Sequence, residues 1–167
     1  MHPWKDEKMR ISAVICLFSV VALAACGGGQ KTTYTTANGT ATVTKNGSTT
    51  TVETKEGKLT AGQGAVDVSK LGAPLYPGAT QTQDNSSISV TTSSGSSAMA
   101  SFSTNDSFAA VEAWYKARLP KGSEKMNVNQ GGSSIAEFTM NEDSANQTLV
   151  MVTGKDGKTQ IVITHGK

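Results

Sequence analysis

The chain has few of the residues that build metal or catalytic centres. Among its 167 residues there are two cysteines, Cys16 and Cys26, and two histidines, His2 and His165. Beyond Cys26 only His165 remains, so a His/Cys metal site and a Cys–His nucleophile pair are excluded there, as is a disulfide. No Gly-x-Ser-x-Gly motif accompanies His165, and we expect this residue to be solvated near the C-terminus.

The chain also lacks a large excess of charge of either sign. The 15 basic and 13 acidic residues give a net charge of +2, and five of these charges, Lys5, Asp6, Glu7, Lys8 and Arg10, precede Cys26. The remaining 12 basic and 11 acidic residues nearly balance, which argues against a nucleic-acid partner. The glycine clusters at 27–29 and 131–132 fit neither a phosphate-binding loop nor a dinucleotide motif, so no cofactor is expected.

One long apolar run does occur, from Ile11 to Leu23. It follows cationic residues and precedes Ala24 and Ala25, which is the order of a secretory signal, and it is too short to cross a bilayer comfortably. The sequence Leu23-Ala24-Ala25-Cys26, followed by glycines, resembles the lipobox of bacterial lipoproteins. The alternative is a retained signal anchor in which Cys26 is merely apolar.

The lipobox resemblance implies a location and a modification. Residues 1–25 would be removed, and Cys26 would be acylated, with palmitate among its chains, and anchored in the cell envelope. Gly27 is not the aspartate that enterobacterial sorting treats as an inner-membrane signal, so the resemblance implies the periplasmic face of the outer membrane in a Gram-negative host. Met9 is an alternative start that leaves this interpretation unchanged.

The chain after Cys26 divides by composition into three parts. We expect a flexible tether at 26–32, a Thr-rich β-meander at 33–64 and an α+β domain at 65–167. The meander is indicated by Asn38-Gly39, Asn46-Gly47 and Glu56-Gly57 between Thr- and Val-rich segments. With Asn46-Gly47 as the turn pair, Ala41 would face Val52. The alternative is a disordered Thr-rich stalk.

The α+β domain is predicted from one helix and several strands. Asn105, Asp106 or Ser107 could cap a helix at about 107–119, in which one apolar stripe contains Phe108, Val111, Tyr115 and Leu119. With Asp156-Gly157 as a turn pair, the last two strands present an apolar patch to this stripe, formed by Val150, Val152, Ile161 and Ile163. The predicted fold class is therefore α+β, an antiparallel sheet packed against one main helix and preceded by the meander. The opposite face, where Met151 meets Val162, is also apolar, and we expect the meander or a partner to cover it.

Three short segments carry a second resemblance. Pro74-Leu75-Tyr76-Pro77-Gly78-Ala79, in which Pro77-Gly78 suits a type II turn, is followed by the helix Phe108–Leu119 and by the ending Gln160–Thr164. Together they resemble a group of uncharacterised bacterial lipoproteins with a Tyr-Pro-Gly-Ala turn and a Val-x-x-Trp/Phe-Tyr helix. The resemblance implies location and architecture and assigns no catalytic residue.

Two function classes follow. The first is a non-enzymatic binding or scaffolding module, with Trp114 and Arg118 as a partner patch, since both residue types are enriched at binding hot spots. The structural alternative for Trp114 is a partly buried residue that packs the helix against the sheet. The second class is a hydrolase of cell-wall or glycan substrates that uses carboxylates such as Glu137, Glu142 or Asp143.

Overall fold

The computed structural model describes residues 29–37, 39–82 and 87–167. This part of the chain forms one antiparallel sheet of 11 strands and a single α-helix, α1 (Phe108–Arg118). The strands are β1 (Gln30–Thr36), β2 (Gly39–Asn46), β3 (Thr49–Thr54), β4 (Gly57–Gly62), β5 (Thr80–Gln81), β6 (Ser87–Thr92), β7 (Gly95–Thr104), β8 (Glu124–Gln130), β9 (Ser133–Met140), β10 (Thr148–Lys155) and β11 (Lys158–Gly166).

The α+β expectation is wrong, because the molecule is mostly β. The predicted meander is not a separate layer: β4 pairs with β6, from Gly57↔Thr92 to Ala61↔Ile88, so β1–β4 extend the same sheet. This pairing satisfies backbone groups that would otherwise lie at an open edge. The described residues thus contain one short helix beside a wide sheet, whose strand order is β1-β2-β3-β4-β6-β7-β11-β10-β9-β8, with β5 beside β7.

The C-terminal strand lies inside the sheet rather than at its edge. The chain leaves β7 through α1, enters β8 at the far edge and returns inward through β9 and β10. Strand β11 then pairs with both β10 and β7. The centre of the sheet is thus assembled from segments that are about 60 residues apart in sequence, such as Ile161 and Phe102.

The hairpin turns test the predicted registers. The Asp156-Gly157 turn is confirmed, with φ of 52° and 75°, and it places Val152 opposite Ile161. The Asn46-Gly47 turn is wrong: Asn46 pairs with Thr49, so Gly47 and Ser48 form the turn. Val52 therefore faces Val43 rather than Ala41, a pairing that buries more apolar surface.

Helix α1 packs on one face of the sheet, here called the covered face. The Ser107 hydroxyl caps the helix by accepting from the Ala110 amide at 3.4 Å. Val111, Tyr115 and Leu119 are buried, as the stripe predicts, and they join one core cluster with the sheet residues Ala100, Phe102, Ala136, Phe138, Val150, Val152, Ile161 and Ile163. Among the described residues before Val66, none belongs to this cluster.

The connector between β4 and β5 also packs onto the covered face. Val66 and Leu71 are buried in the core, and the Ala79 amide donates to the Tyr76 carbonyl at 3.1 Å. Gly78 between them has φ of 78°, as the predicted type II turn requires. A Cβ at Gly72 would lie 2.5 Å from Thr148 Oγ1, so only glycine allows the connector this close to β10.

The opposite face, here called the open face, has no element packed on it in the described residues. The meander does not cover it, because β1–β4 extend the sheet sideways. The strand registers place on this face apolar residues from every strand except β5, including Val43, Val52, Ile88, Val90, Met99, Leu149, Met151 and Val162. Four of its residues, Tyr34, Leu59, Met126 and Val128, are between 38% and 43% exposed.

Candidate binding surfaces

The predicted anchoring residues lie outside the described part of the chain. These are Leu23, Ala24, Ala25 and Cys26, together with the rest of the signal at 1–25. Strand β1 begins at Gln30, inside the range expected to be a tether. Among the described residues, no helix has the length and apolarity needed to cross a membrane.

Trp114 and Arg118 lie together at the side of α1. The Arg118 guanidinium carbon is 4.3 Å from the centroid of the Trp114 ring, a cation–π geometry, and the Arg118 side chain is exposed. Trp114 is half-buried and packs against the core, with its ring 4.9 Å from that of Tyr115. Trp114 therefore seals the helix, while Arg118 presents a positioned cation to the surface.

Tyr76 completes this group, which we call the aromatic cluster: Tyr76, Trp114 and Arg118. The Tyr76 ring meets Trp114 edge-on at 5.4 Å, and its hydroxyl donates to Asp106 Oδ2 at 2.8 Å. The bond to Asp106 and desolvation raise the pKa of Tyr76. The contact joins the connector to the helix across 38 residues, and no local sequence pattern predicts it.

Another side of α1 carries a charged network with β8. Lys116 Nζ lies 2.6 Å from Glu112 Oε1 and 3.1 Å from Glu124 Oε1, and hydrogen bonds to these two carboxylates raise the pKa of Lys116. Asn127 Nδ2 donates to the same two carboxylates. These residues fasten β8 to the helix.

The open face contains a groove of about 390 Å³ beside the loop between β9 and β10. Leu149 contributes an apolar patch, and the carboxylate in the lining is that of Glu137. The lining residues are Ser97, Glu137, Thr139, Ser144, Ala145, Gln147, Leu149, Thr164 and Gly166. The groove combines hydroxyl groups with a single acid, a set suited to hydrogen bonding.

The carboxylates proposed for hydrolysis do not converge in this groove. Glu137 lines it, but Glu142 pairs with Lys125 at 2.8 Å and Asp143 lies exposed in the adjoining loop. General acid–base hydrolysis of a glycoside needs two carboxylates that face one substrate. Within residues 29–37, 39–82 and 87–167, no group of three or more His, Cys, Asp or Glu side chains is placed to hold a metal ion.

His165 is not the solvated terminal residue that the sequence suggests. Its Nδ1 lies 2.8 Å from the hydroxyl of Thr148, which is 1% exposed, and a Cβ at Gly72 would lie 2.7 Å from the same ring nitrogen. The connector therefore passes over the imidazole and leaves it half-buried. This arrangement ties the last strand to β10 and to the connector, which is a structural role.

Tyr115 is the one buried polar side chain that the structure leaves unsatisfied in the described residues. Its ring is fully buried and its hydroxyl has no hydrogen-bond partner. Burial raises the pKa of Tyr115 far above its ordinary value, while the nearby Tyr76 backbone opposes the shift without completing a hydrogen bond. The hydroxyl lies inside the core and is not available to a ligand.

Comparison with known proteins gives no relative, since no family model matches the chain and no significant match occurs among the curated proteins or the solved structures. The functional argument consequently depends on this chain's own residues.

Proposed function

We propose that the protein is a lipid-anchored lipoprotein of the bacterial cell envelope that binds or scaffolds another envelope protein and catalyses no reaction. Acylated Cys26 is the anchor, and residues 1–25 are the signal that is removed. The order of cationic residues, apolar run and Leu23-Ala24-Ala25-Cys26 supports this assignment. In a Gram-negative host the proposed location is the periplasmic face of the outer membrane.

The observation that carries the binding role is the Arg118 guanidinium on the Trp114 ring. Arg, Trp and Tyr are the residue types most enriched at the centres of protein interfaces. Stacking already restricts the exposed Arg118 side chain, so less rotamer freedom is lost when a partner contacts it. A partner that presents a carboxylate or an aromatic edge would complement this surface.

A cell-wall or glycan hydrolase is the competing function, and it has less support. The groove lining contains Glu137 without a second carboxylate, and Glu142 is paired with Lys125. A hydrolase would have to work with one acid and no activated nucleophile beside it.

Lipidation is tested by radiolabelled palmitate incorporation in cells that express the full chain. Cys26→Ala should abolish the label and leave the precursor uncleaved or release a soluble form. Cys16→Ala is the matched control and should keep both the label and the membrane fraction. Label retained by Cys26→Ala would contradict the anchoring proposal.

The binding role is tested by crosslinking in intact envelopes, followed by capture of the acylated protein. Arg118→Ala should reduce a specific crosslinked adduct while leaving the melting temperature within about 4 °C, because an exposed cation–π pair contributes only about 0.5–1 kcal/mol. Lys121→Ala removes an exposed cation just beyond α1 and serves as the control. If wild type, Arg118→Ala and Lys121→Ala give the same pattern of crosslinked adducts, the aromatic cluster is excluded as the contact surface.

A further inference from the structure

In the part of the chain that the structure describes, the outer strands of the sheet are β1 and β8, and they differ in how their edges are protected. An edge strand presents unpaired amide and carbonyl groups that can pair with another strand. Natural edges are commonly blocked by charge, proline, bulges or covering elements. Comparing the two edges therefore indicates which one is available for association.

Strand β8 carries several of these protections. A register shift between Glu124 and Met126 interrupts its ladder with β9. Glu124 and Asn127 are bonded to Lys116 and Glu112 of α1, and Lys125 pairs with Glu142 at 2.8 Å. The strand is thus irregular, charged and fastened to the helix.

Strand β1 has none of these protective features over most of its length. Its ladder with β2 is continuous from Gln30↔Lys45 to Thr36↔Gly39, and no described strand pairs with its outer edge. The segment Thr32-Thr33-Tyr34-Thr35-Thr36 contains no charge, proline or glycine and consists of strong strand formers. The side chains of residues 30–35 are exposed, with Tyr34 at 41%.

We propose that β1 is a self-association surface, at which β1 of a second copy pairs antiparallel about a twofold axis at Thr33. This register sets Thr33 opposite its own copy and Lys31 opposite Thr35, so the one charge of the strand meets no like charge. Tyr34 lies opposite Thr32 and diagonally across from the second Tyr34, within reach of an aromatic ring. The twofold axis is normal to the sheet, so both open faces lie on the same side.

A second copy fits this edge better than an unrelated strand because both copies reach it from the same surface. Only three residues, Gly27 to Gly29, separate Cys26 from Gln30, so the two Cα atoms are at most about 14 Å apart. The preference for a second copy depends on the lipid anchor proposed above, which would hold β1 of every copy close to the membrane surface and raise its effective concentration. The pairing geometry itself depends on β1 alone.

Single-cysteine crosslinking of the full chain in native membranes tests the register. Thr33→Cys should form disulfide-linked dimers under mild oxidation at least tenfold more than Thr35→Cys, because residues directly opposite have Cα atoms about 4.5–5.5 Å apart. The two copies of residue 35 would be offset by four residues, about 14 Å along the strands. Val128→Cys, exposed on β8, is the control for random collision. Equal yields from the three variants, or more dimer from Thr35→Cys, would overturn the proposal.

Charge exchange at the twofold axis separates self-pairing from pairing with another protein. Two tagged copies are coexpressed, and capture of one by the other is measured. Thr33→Lys with itself and Thr33→Glu with itself should lose at least tenfold in capture, whereas Thr33→Lys with Thr33→Glu should recover it. No recovery in the mixed pair would refute self-pairing. Palmitate label on Cys26 in the same samples reports separately on the anchor.

Discussion

Tyr115 gives the sharpest test of the packing, because its ring and its hydroxyl have opposite effects on stability. The ring is fully buried, 4.9 Å from Trp114 and 5.9 Å from Phe138. The hydroxyl is buried without a partner. A buried donor left unsatisfied costs about 1–3 kcal/mol, so Tyr115→Phe should raise the free energy of unfolding by about 1 kcal/mol. The melting temperature should then rise by about 4 °C.

Tyr115→Ala should have the opposite effect. Removing a buried aromatic ring costs about 3–5 kcal/mol, which is a large share of the roughly 5–15 kcal/mol that stabilises an ordinary domain. Urea unfolding midpoints measure both variants on one scale. Tyr34→Phe is the matched control, since the same hydroxyl is removed from an exposed ring and the change should stay within about 0.5 kcal/mol.

Two results would refute this reasoning. If Tyr115→Phe loses 1 kcal/mol or more, the hydroxyl is hydrogen-bonded in the folded protein, for instance to the Tyr76 backbone. If Tyr115→Ala is neutral while Trp114→Ala unfolds the protein, α1 is rotated about its axis and the aromatic cluster is not at the surface. The pair of variants therefore tests the helix orientation on which the proposed contact surface depends.

Three further outcomes follow from the same contacts. Burial raises the pKa of Tyr115 above its unfolded value of about 10, so the folded protein keeps the neutral hydroxyl at pH values at which the unfolded chain loses its proton. Above pH 10 the free energy of unfolding of wild type should therefore fall by about 1.4 kcal/mol per pH unit relative to Tyr115→Phe, as measured by urea titrations at alkaline pH. Gly154→Ala should destabilise the protein by about 1–3 kcal/mol in thermal melts, since the added Cβ would lie 2.6 Å from Phe108 Cβ. Thr153→Ala, on the open face, is the control and should change the stability little. Equal effects of the two substitutions would contradict the close approach of α1 to β10. A chain that begins at Gly62 should still melt cooperatively by calorimetry, because the core cluster starts at Val66, and a flat trace would show that β1–β4 belong to the folding unit.

Local signals in the sequence predicted the local structure. The period of Phe108, Val111 and Tyr115 indicated the buried face of α1, and Asp156-Gly157 set the β10–β11 register, since both patterns act within a few residues. The Asn46-Gly47 signal failed because a one-residue shift of the turn lets Val43 meet Val52. Packing between strands therefore decided what the turn residues left open.

Long-range pairings had no signal in the sequence. The division at residue 64 followed a change in composition, yet β4 pairs with β6 across the connector, and β11 lies between β7 and β10. Trp114 and Arg118 could be placed together from their spacing of four residues on a helix. Their contact with Tyr76, and the position of Gly72 against His165, could not be predicted because each depends on how the connector crosses the sheet.

The error in fold class has a geometric cause that also explains where binding surfaces arise. A helix of 11 residues is about 16 Å long and about 10 Å wide, so α1 covers only a few strands and contacts β10 and β11. Ten neighbouring strands at about 4.8 Å span about 45 Å, far more than one helix can cover. Both faces of strands β1–β4 consequently lie outside the core. Threonine occupies much of this surface, because it favours strands and its hydroxyl can be solvated. A sheet extension of this kind contributes little to the core, and its faces, together with the β1 edge that no described strand pairs with, are suited to contacts with other molecules.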